Sequence, residues 1–455
     1  MDNLTIKTKF SYAMGSIGAN LAYSIVAVFL MYYYTDVVGL SAAFVGALFF
    51  FARFFDAFTD PIMGMIVDNT KTRFGKFRPW LIIGALLNSV LLIVTFSAHL
   101  IPSEWLIVYA TISYVLWGIT FTIIDIPFWS MVPAITRSRD SRESLVVWLR
   151  LAASLVAMTF GAYGLKMAGF FGGADLGRGF EITSYIVIAL FVICMFVMAI
   201  NVKEVPVKQK KTARFNIKDV ARIIISNDQL VALIGLVLAY NCSFHFINGF
   251  AIYYFSYALG NPEYFAIFMV VSGAAEVLGV YLFPRLSKLI TRRRMWYLAC
   301  IFPVICSCIL FVTNIVDAPS AFMIASAGAA FKMGIGLANG LSTVMLADVV
   351  DYGEAKNGVR SEAIIFSIQT MLAKSSSAFG GLAIGLILSA LSYIPQVDQS
   401  VETVNGMKAT IVIIPVILMV VSTLVYWKFY KMKDGFNPGL KDSNLIETGK
   451  EVEAC

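Results

Sequence analysis

The chain has 455 residues, of which 59% are hydrophobic and only 14% are charged. A soluble domain usually carries about 25% charged residues, and no water-soluble fold could bury this much apolar surface, so the sequence predicts an integral membrane protein. The net charge of +7 could suggest an anionic partner, but its distribution indicates membrane topology instead. Two histidines, and six cysteines without a CxxC pair, argue against a metal centre, and no cofactor is predicted apart from a coupling cation.

Twelve membrane spans are predicted, because a bilayer core needs about 20 apolar residues per helix. They lie at 11–34, 41–67, 78–98, 105–132, 147–168, 180–201, 230–258, 264–290, 295–314, 320–349, 362–391 and 407–430. The expected fold is therefore an all-α membrane protein.

Basic residues mark the loops after spans 2, 4, 6 and 8, for example Lys71, Arg73, Lys76 and Arg78. The alternate loops are nearly free of lysine and arginine. Because cytoplasmic loops carry the excess of basic residues, both termini are expected in the cytoplasm, and a bacterial inner membrane is the expected location.

The longest hydrophilic loop, 202–229, divides the chain into two six-helix bundles at 1–201 and 230–434, followed by a cytoplasmic tail at 435–455. Two similar halves around a midplane site are the usual architecture of secondary transporters. The sequence contains no GxxxxGK[ST] nucleotide-binding loop, which disfavours ATP-driven transport by this chain alone.

Span 2 contains ionisable residues at membrane depth, where each costs about 2.5–3.5 kcal/mol on insertion scales. Asp56 and Asp60 are four residues apart and share a helix face, with Thr59 beside them. Their oxygens could hold a monovalent cation such as Na⁺, or the two carboxylates could share a proton. The structural alternative is an ion pair with Arg53.

Span 4 combines Thr122, Asp125 and Trp129 at helical spacing. A carboxylate beside an indole suits a sugar, because the carboxylate accepts hydroxyl hydrogen bonds and the ring packs against the apolar face of a pyranose. The alternative is a core aromatic beside a structural aspartate. Arg150, early in span 5, could donate hydrogen bonds to the same substrate or extend to the cytoplasmic interface.

Further polar residues occur in the second half of the chain. Lys374 in the middle of span 11 is expected to pair with the carboxylates of spans 2 or 4, with Gln369 and Thr370 about one turn earlier. Lys332 and Glu276 either neutralise each other, or Lys332 helps to bind an anionic substrate.

A group of charged residues lies around the cytoplasmic ends of spans 4, 10 and 11. It could form gating salt bridges between the two halves, or it could simply be solvated. Its members are Arg142, Asp348, Asp351, Glu354, Arg360 and Glu362.

Several stretches of the sequence resemble the melibiose-carrier family, the glycoside–pentoside–hexuronide cation symporters of the major facilitator fold. The resemblance extends from Lys9 to about Lys431. The informative stretches are MYYYTDVVGL at 31–40, FFDAFTDPIMG at 54–64, RFGKFRPW at 73–80, DIPFWS at 125–130, NDQL at 227–230, INGFAIYYF at 247–255, DYGE at 351–354 and QTMLAKSSSAF at 369–379.

The resemblance implies two adjoining sites. The implied cation site is Asp56, Thr59, Asp60 and Thr122, with Lys374 close by. The implied sugar site is Asn20, Asp125, Trp129 and Arg150, with Gln369 and Thr370 nearby. Only the resemblance indicates Asn20.

This chain also departs from the family pattern. Ala19 and Asn20 replace a Lys-Asp pair in span 1, Thr59 replaces an asparagine, and Asn339 replaces a tryptophan. These differences point to a glycoside related to melibiose and leave Na⁺ and H⁺ as competing coupling ions.

The resulting hypothesis is cation-coupled sugar symport by a monomer through alternating access. An acidic sugar, or hexuronide, is the alternative substrate. A facilitator without coupling would leave the paired carboxylates idle. A membrane enzyme is disfavoured because no nucleophile or metal constellation is evident. A non-transporting sugar sensor would call for a signalling domain, and only a short polar tail follows Lys431.

Overall fold

The computed structural model describes residues 4–136, 139–204, 224–316, 318–357 and 362–432. This part of the chain contains twelve long α-helices. They are α1 (Ile6–Tyr32), α2 (Ala42–Asn69), α3 (Arg78–Phe96), α4 (Ser103–Ile135), α5 (Arg139–Gly172), α6 (Leu176–Asn201), α7 (Asp228–Tyr253), α8 (Glu263–Leu286), α9 (Arg292–Ile315), α10 (Ala321–Asn357), α11 (Glu362–Ala390) and α12 (Val401–Phe429).

The all-α prediction is confirmed, and each predicted span corresponds to one helix. By length and hydropathy, eleven helices in the described residues qualify as membrane spans. In α2 the segment Ala42–Arg53 is a shorter apolar helix within the residues that the structure describes.

Several helices are longer than the predicted spans. Helices α1, α5 and α12 begin earlier than predicted, and α10 continues to Asn357. At 37 residues, α10 is about 55 Å long, well beyond the 30 Å hydrocarbon core. The predictions ended where polar residues began, whereas the helices continue into the aqueous interface.

Polar caps set several helix starts. In each case the side-chain oxygen of the residue before the helix accepts a hydrogen bond from a backbone N–H three residues later, which satisfies a donor without an intrahelical partner. These caps are Thr5, Ser41, Asp175, Asn227, Thr291 and Ser400.

The two halves of the chain repeat one local structure. Helix α1 ends in a π-helical turn at Tyr33–Val37, and α7 ends in the same way at Tyr254–Ala258. The tyrosine that opens each turn hydrogen-bonds to the end of a neighbouring helix: Tyr33 to the Phe96 carbonyl at 2.7 Å and Tyr254 to Thr313 at 2.9 Å. Each turn is followed by a glycine with positive φ, Gly39 at 83° and Gly260 at 66°. The division into two bundles stays a prediction, and the linker at 202–229 and the tail at 435–455 lie mostly outside the described residues.

Helices α2 and α11 make the main contact between the halves, together with α5 and α8. Glycines allow the close approach: a Cβ atom added to Gly46 of α2 would lie 2.9 Å from the Gly381 carbonyl oxygen and 3.0 Å from the Gly385 Cα atom. The backbones of α2 and α11 therefore touch directly at this crossing, near the start of α2.

The basic loop between α2 and α3 is held by one carboxylate. Glu204, just after α6, accepts hydrogen bonds from the backbone N–H groups of Lys76 at 2.8 Å and Phe77 at 2.9 Å. Gly75 has φ of 107°, and a side chain there would collide with Glu204. The RFGKFRPW stretch therefore has a structural role in anchoring α3 to α6.

Candidate functional site

The charged residues of α2 form a row with distinct partners. Arg53 Nη1 lies 2.9 Å from Asp56 Oδ2, and only 6% of Asp56 is exposed. This is the ion pair that the sequence offered as the structural alternative. Thr59 donates a hydrogen bond of 3.4 Å to the backbone oxygen of Asp56. That bond uses the hydroxyl proton and leaves the oxygen lone pairs of Thr59 for another partner.

Asp60 is the meeting point of three helices. The Thr122 hydroxyl of α4 donates to Asp60 Oδ1 at 3.0 Å, and the Lys374 ammonium of α11 donates to Asp60 Oδ2. The structure therefore brings together a carboxylate and a hydroxyl of the predicted cation site and places the predicted lysine against them. The Lys374 contact also joins the two halves.

Asp125 lies close to this group. Its carboxylate lies near the Trp129 side chain and within electrostatic reach of Lys374 and Asp60. Trp129 is 46% exposed, and Arg150 is also exposed, whereas Gln369 is half-buried. The Asp125–Trp129 pairing predicted for a sugar site is present, with the indole surface accessible.

A cavity of about 280 Å³ lies between the halves. Of the predicted sugar residues within the described part of the chain, only Asn20 lines it. Asn20 donates to the Ser16 carbonyl at 2.8 Å, which leaves its side-chain oxygen as an acceptor. Arg53 of α2 also lines this cavity, so Asn20 and the helix that carries the predicted cation site border the same space. Asp125, Trp129 and Arg150 do not line it.

Glu276 of α8 and Lys332 of α10 line the same cavity from the other half. Their charged atoms are 3.3 Å apart, and Lys332 is 3% exposed. This contact corresponds to the first of the two alternatives that the sequence left open, mutual neutralisation.

The proposed gating group is only partly described. Asp348 pairs with Arg292 at the start of α9, within the same half. Helix α10 packs against α9, which presents Arg292 to it. The arginine side chains after span 4, which the sequence suggested as partners, lie outside the described residues. Asp351 and Glu354 make interactions of their own. Arg360 lies outside the described residues, as do the side chains of Arg142, Glu362 and Thr370.

A second polar cluster joins the halves at the face opposite the chain termini, here called the distal face. Asp36, at the end of α1, is 3% exposed. Its carboxylate accepts hydrogen bonds from the hydroxyls of Tyr257 and Tyr393, while Gln396 donates to its backbone oxygen. Burial raises the pKa of Tyr393, and the nearby Asp36 carboxylate raises it further. We call this cluster the distal latch.

Sequence reasoning assigned no role to several residues of these clusters. Asp36 lies in MYYYTDVVGL and Asn248 in INGFAIYYF, the stretches that carried the family resemblance. The available signal was a polar residue inside or beside an apolar helix. A charged residue within a span is marked by its cost at membrane depth, whereas an asparagine, or a carboxylate at a span end, is not.

Comparison with known proteins identifies this architecture. Residues 11–434 match the family described as MFS/sugar transport protein. The chain is 29% identical to the isoprimeverose transporter of Lactiplantibacillus pentosus, covering 93% of this chain and 88% of the relative. It is 27% identical to the putative glycoside/cation symporter YagG of Escherichia coli, covering 95% and 94%.

A third relative has a different named substrate. The chain is 29% identical to a putative 2,3-dihydroxypropane-1-sulfonate exporter of Salmonella typhimurium, covering 95% of this chain and 94% of the relative. Among solved structures, a bacterial homologue of the human lysosomal transporter Spinster matches with a TM-score of 0.63 at 14% identity, covering 93% of this chain and 95% of that one. The structural match supports the major facilitator fold.

Proposed function

The chain belongs to the MFS/sugar transport protein family, and on that basis we propose that it moves a sugar or glycoside together with Na⁺ or H⁺ by alternating access. As a member of this family it is a multi-pass membrane transporter and not an enzyme. The observation that carries the proposal is the convergence of Thr122 and Lys374 on Asp60, between the two halves of the fold.

Asp60 and Thr122 provide the hard oxygen ligands that a small cation prefers. In the described conformation, the Lys374 ammonium donates to Asp60 and balances its charge. A Na⁺ ion or a proton arriving at Asp60 would take over that balance and release Lys374. Because Lys374 also lies within electrostatic reach of Asp125, its release would change the charge at the predicted sugar residue. Cation and sugar binding would then be coupled, and the coupling must be reciprocal.

The distal latch and the α2–α11 glycine crossing close one face of the protein. With both termini in the cytoplasm, as the basic loops predict, that face is periplasmic. The described conformation is then closed toward the periplasm, and transport requires these contacts to open. A bilayer site reached alternately from two sides is the working principle of this class of transporter.

The substrate class in this proposal is a small sugar or glycoside such as melibiose or isoprimeverose. The name of the isoprimeverose transporter supports a neutral glycoside, whereas the sulfonate exporter shows that a relative is named for an acidic substrate. An acidic sugar is therefore the second candidate, and the observation that favours it is Lys332 in the cavity wall.

Uptake of radiolabelled glycosides under imposed Na⁺ and H⁺ gradients tests the proposal. Wild-type protein should accumulate its substrate above the external concentration, and Asp60→Asn should lose that accumulation. Asp398→Asn, in the loop before α12 and away from the cavity, is the control that should behave as wild type. Concentrative uptake by Asp60→Asn would refute the role of Asp60 in coupling.

A further inference from the structure

The wall of the cavity that belongs to the second half is polar. Helix α7 contributes His245 and Asn248, α8 contributes Glu276, and α10 contributes Lys332. Most of the sugar-binding residues predicted from the sequence, including Asn20, lie in the first half of the chain. A substrate in the cavity would nevertheless contact both halves, which is a requirement for any ligand whose binding drives their relative movement.

Burying the Glu276–Lys332 ion pair in the cavity wall costs free energy. A buried ion pair contributes little stability compared with well-packed apolar residues, because both charges lose their hydration. At 3.3 Å the contact is also longer than the 2.7–2.9 Å typical of a strong charge-assisted hydrogen bond. The ammonium and the carboxylate therefore keep hydrogen-bonding capacity for a third group.

Asn248 provides an independent observation. Its Oδ1 atom is buried and has no hydrogen-bond partner within the described part of the chain. A buried acceptor without a donor is unfavourable, and each such group in a native structure calls for an explanation. Asn248 lines the cavity, so a rotation of its side chain that turns Oδ1 toward the cavity would let a bound ligand that carries a donor satisfy it.

These residues together specify the chemistry of the ligand. Asn248 Oδ1 and Glu276 need donors, whereas Lys332 needs an acceptor, and a hydroxyl group can be both. A carboxylate has no proton to donate, and it would place a second negative charge beside Glu276. The charge of Lys332 is already balanced, so an anion would remain uncompensated in a poorly solvated site.

Aromatic residues complete the wall. Phe244 lies beside the Lys332 ammonium, with 5.8 Å from the nitrogen to the ring centroid, and Tyr23 and Tyr114 line the cavity from the first half. Aromatic faces pack against the apolar C–H surface of a sugar ring while hydroxyls reach the polar groups. The volume of about 280 Å³ is near the lower end of known ligand cavities.

We infer that Asn248, Glu276 and Lys332 form a hydroxyl-binding subsite that selects a neutral sugar over an acidic one. This inference rests on the proposed function and deepens it, because family membership alone does not decide between the neutral and anionic substrates of the relatives. Lys332 acts here as half of a neutral pair, not as an anchor for an anion.

Asn248→Ala is the most informative variant, because it breaks no ion pair. The KM for the transported neutral glycoside should rise about tenfold, as expected when a hydrogen bond to substrate is lost. The thermal midpoint of the substrate-free protein should stay the same or rise, since an unsatisfied acceptor is removed. A purely structural asparagine would give the reverse, a lowered midpoint with unchanged KM, and that result would overturn the inference.

The ion pair is tested by the double variant Glu276→Gln/Lys332→Met, which leaves no unpaired charge. A matched control is Lys166→Met/Glu263→Gln, which removes an exposed pair of 3.2 Å between the same two halves but away from the cavity. The cavity variant should raise the KM for the glycoside about tenfold or more, and the control should change it by less than about twofold.

The panel for these measurements is melibiose, isoprimeverose, lactose and methyl β-D-glucuronide, each tested with Na⁺ and with H⁺ gradients. The inference predicts preference for a neutral sugar in the wild type. Preference of the wild type for the glucuronide, with selective loss of glucuronide transport in Lys332→Met, would overturn the inference and leave the proposed symport intact. Unchanged transport of neutral sugars in all the variants would have the same consequence. Failure of the wild type to transport any sugar would instead reject the proposed function, and this inference with it.

Discussion

Lys374 of α11 donates a hydrogen bond to Asp60 of α2. A lysine of the second half therefore binds the carboxylate with which the first half is expected to hold the coupling cation. Both side chains are mostly buried, at 23% and 20% exposed. A charge pair in this position is a substitute for the cation: the site is electrically balanced when empty, and a cation must compete with the lysine to bind.

Replacing Lys374 by methionine should separate binding from transport. Without its competitor, Asp60 should bind the coupling cation about tenfold more tightly, because a charge-assisted hydrogen bond no longer has to be broken. Turnover should fall, because the empty carrier would then hold an unbalanced carboxylate. Cation titration of the purified variant by calorimetry, with uptake measured in parallel, checks both effects.

Lys408→Met is the matched control for that experiment. Lys408 lies on α12, away from Asp60, so its removal should leave cation affinity unchanged. If Lys374→Met bound the cation more weakly than wild type, Lys374 would be a supporting residue of the cation site and not a competitor.

The distal latch should control opening toward the periplasm. Asp36→Asn removes the negative charge that accepts hydrogen bonds from the Tyr257 and Tyr393 hydroxyls. A hydrogen bond to a charged group contributes about 1.5–3 kcal/mol to stability. The variant should therefore shift the population toward a state open at the distal face. In a background without native cysteines, Ser24→Cys in the cavity should react faster with an impermeant maleimide added from outside.

Lys166→Met serves as the control for the latch, because its pair with Glu263 also crosses the halves but is exposed and contributes little. Its labelling rate should match that of the parent. Slower or unchanged labelling in Asp36→Asn would show that the latch does not hold the distal face closed.

The glycine crossing between α2 and α11 should tolerate no side chain. A valine at Gly46 would place its Cβ atom 2.9 Å from the backbone oxygen of Gly381, and backbone atoms cannot rotate away as a side chain can. Gly46→Val should therefore prevent closure of the distal face and reduce uptake at least tenfold, while the protein still reaches the membrane. Surface-normalised uptake measures this.

Gly169→Val on α5 is its control, since a Cβ atom there has no described atom within 4 Å. Near-normal uptake by Gly169→Val is expected. Near-normal uptake by Gly46→Val as well would mean that the close approach of α2 and α11 is not needed for the transport cycle.

The helices and the ionisable residues at membrane depth can be predicted from the sequence. Apolar runs of membrane length identify helices directly, and a lysine in mid-membrane such as Lys374 needs an acidic partner, so its contact with Asp60 could be expected. The pairing of Glu276 with Lys332 followed from the same reasoning.

The choice among neighbouring helices could not be made from sequence. Helical spacing indicates the face on which Asp348 lies, but not that α9 would present Arg292 to it. Asn248 carries no charge, so nothing in the sequence distinguished it from an asparagine with satisfied hydrogen bonds. Asn20 lines the cavity whereas Asp125 and Trp129 do not, and helical spacing within one span does not show which residues of different helices face the same cavity.

Symport requires that sugar and cation move together through this protein. The most direct measurement is the movement of Na⁺ and of H⁺, followed with ion-selective electrodes, when each sugar of the panel is added to de-energised cells or vesicles that contain the protein. Symport predicts cation movement in the same direction as the sugar, and Asp60→Asn should abolish it. Entry of the sugar without movement of either cation would contradict it.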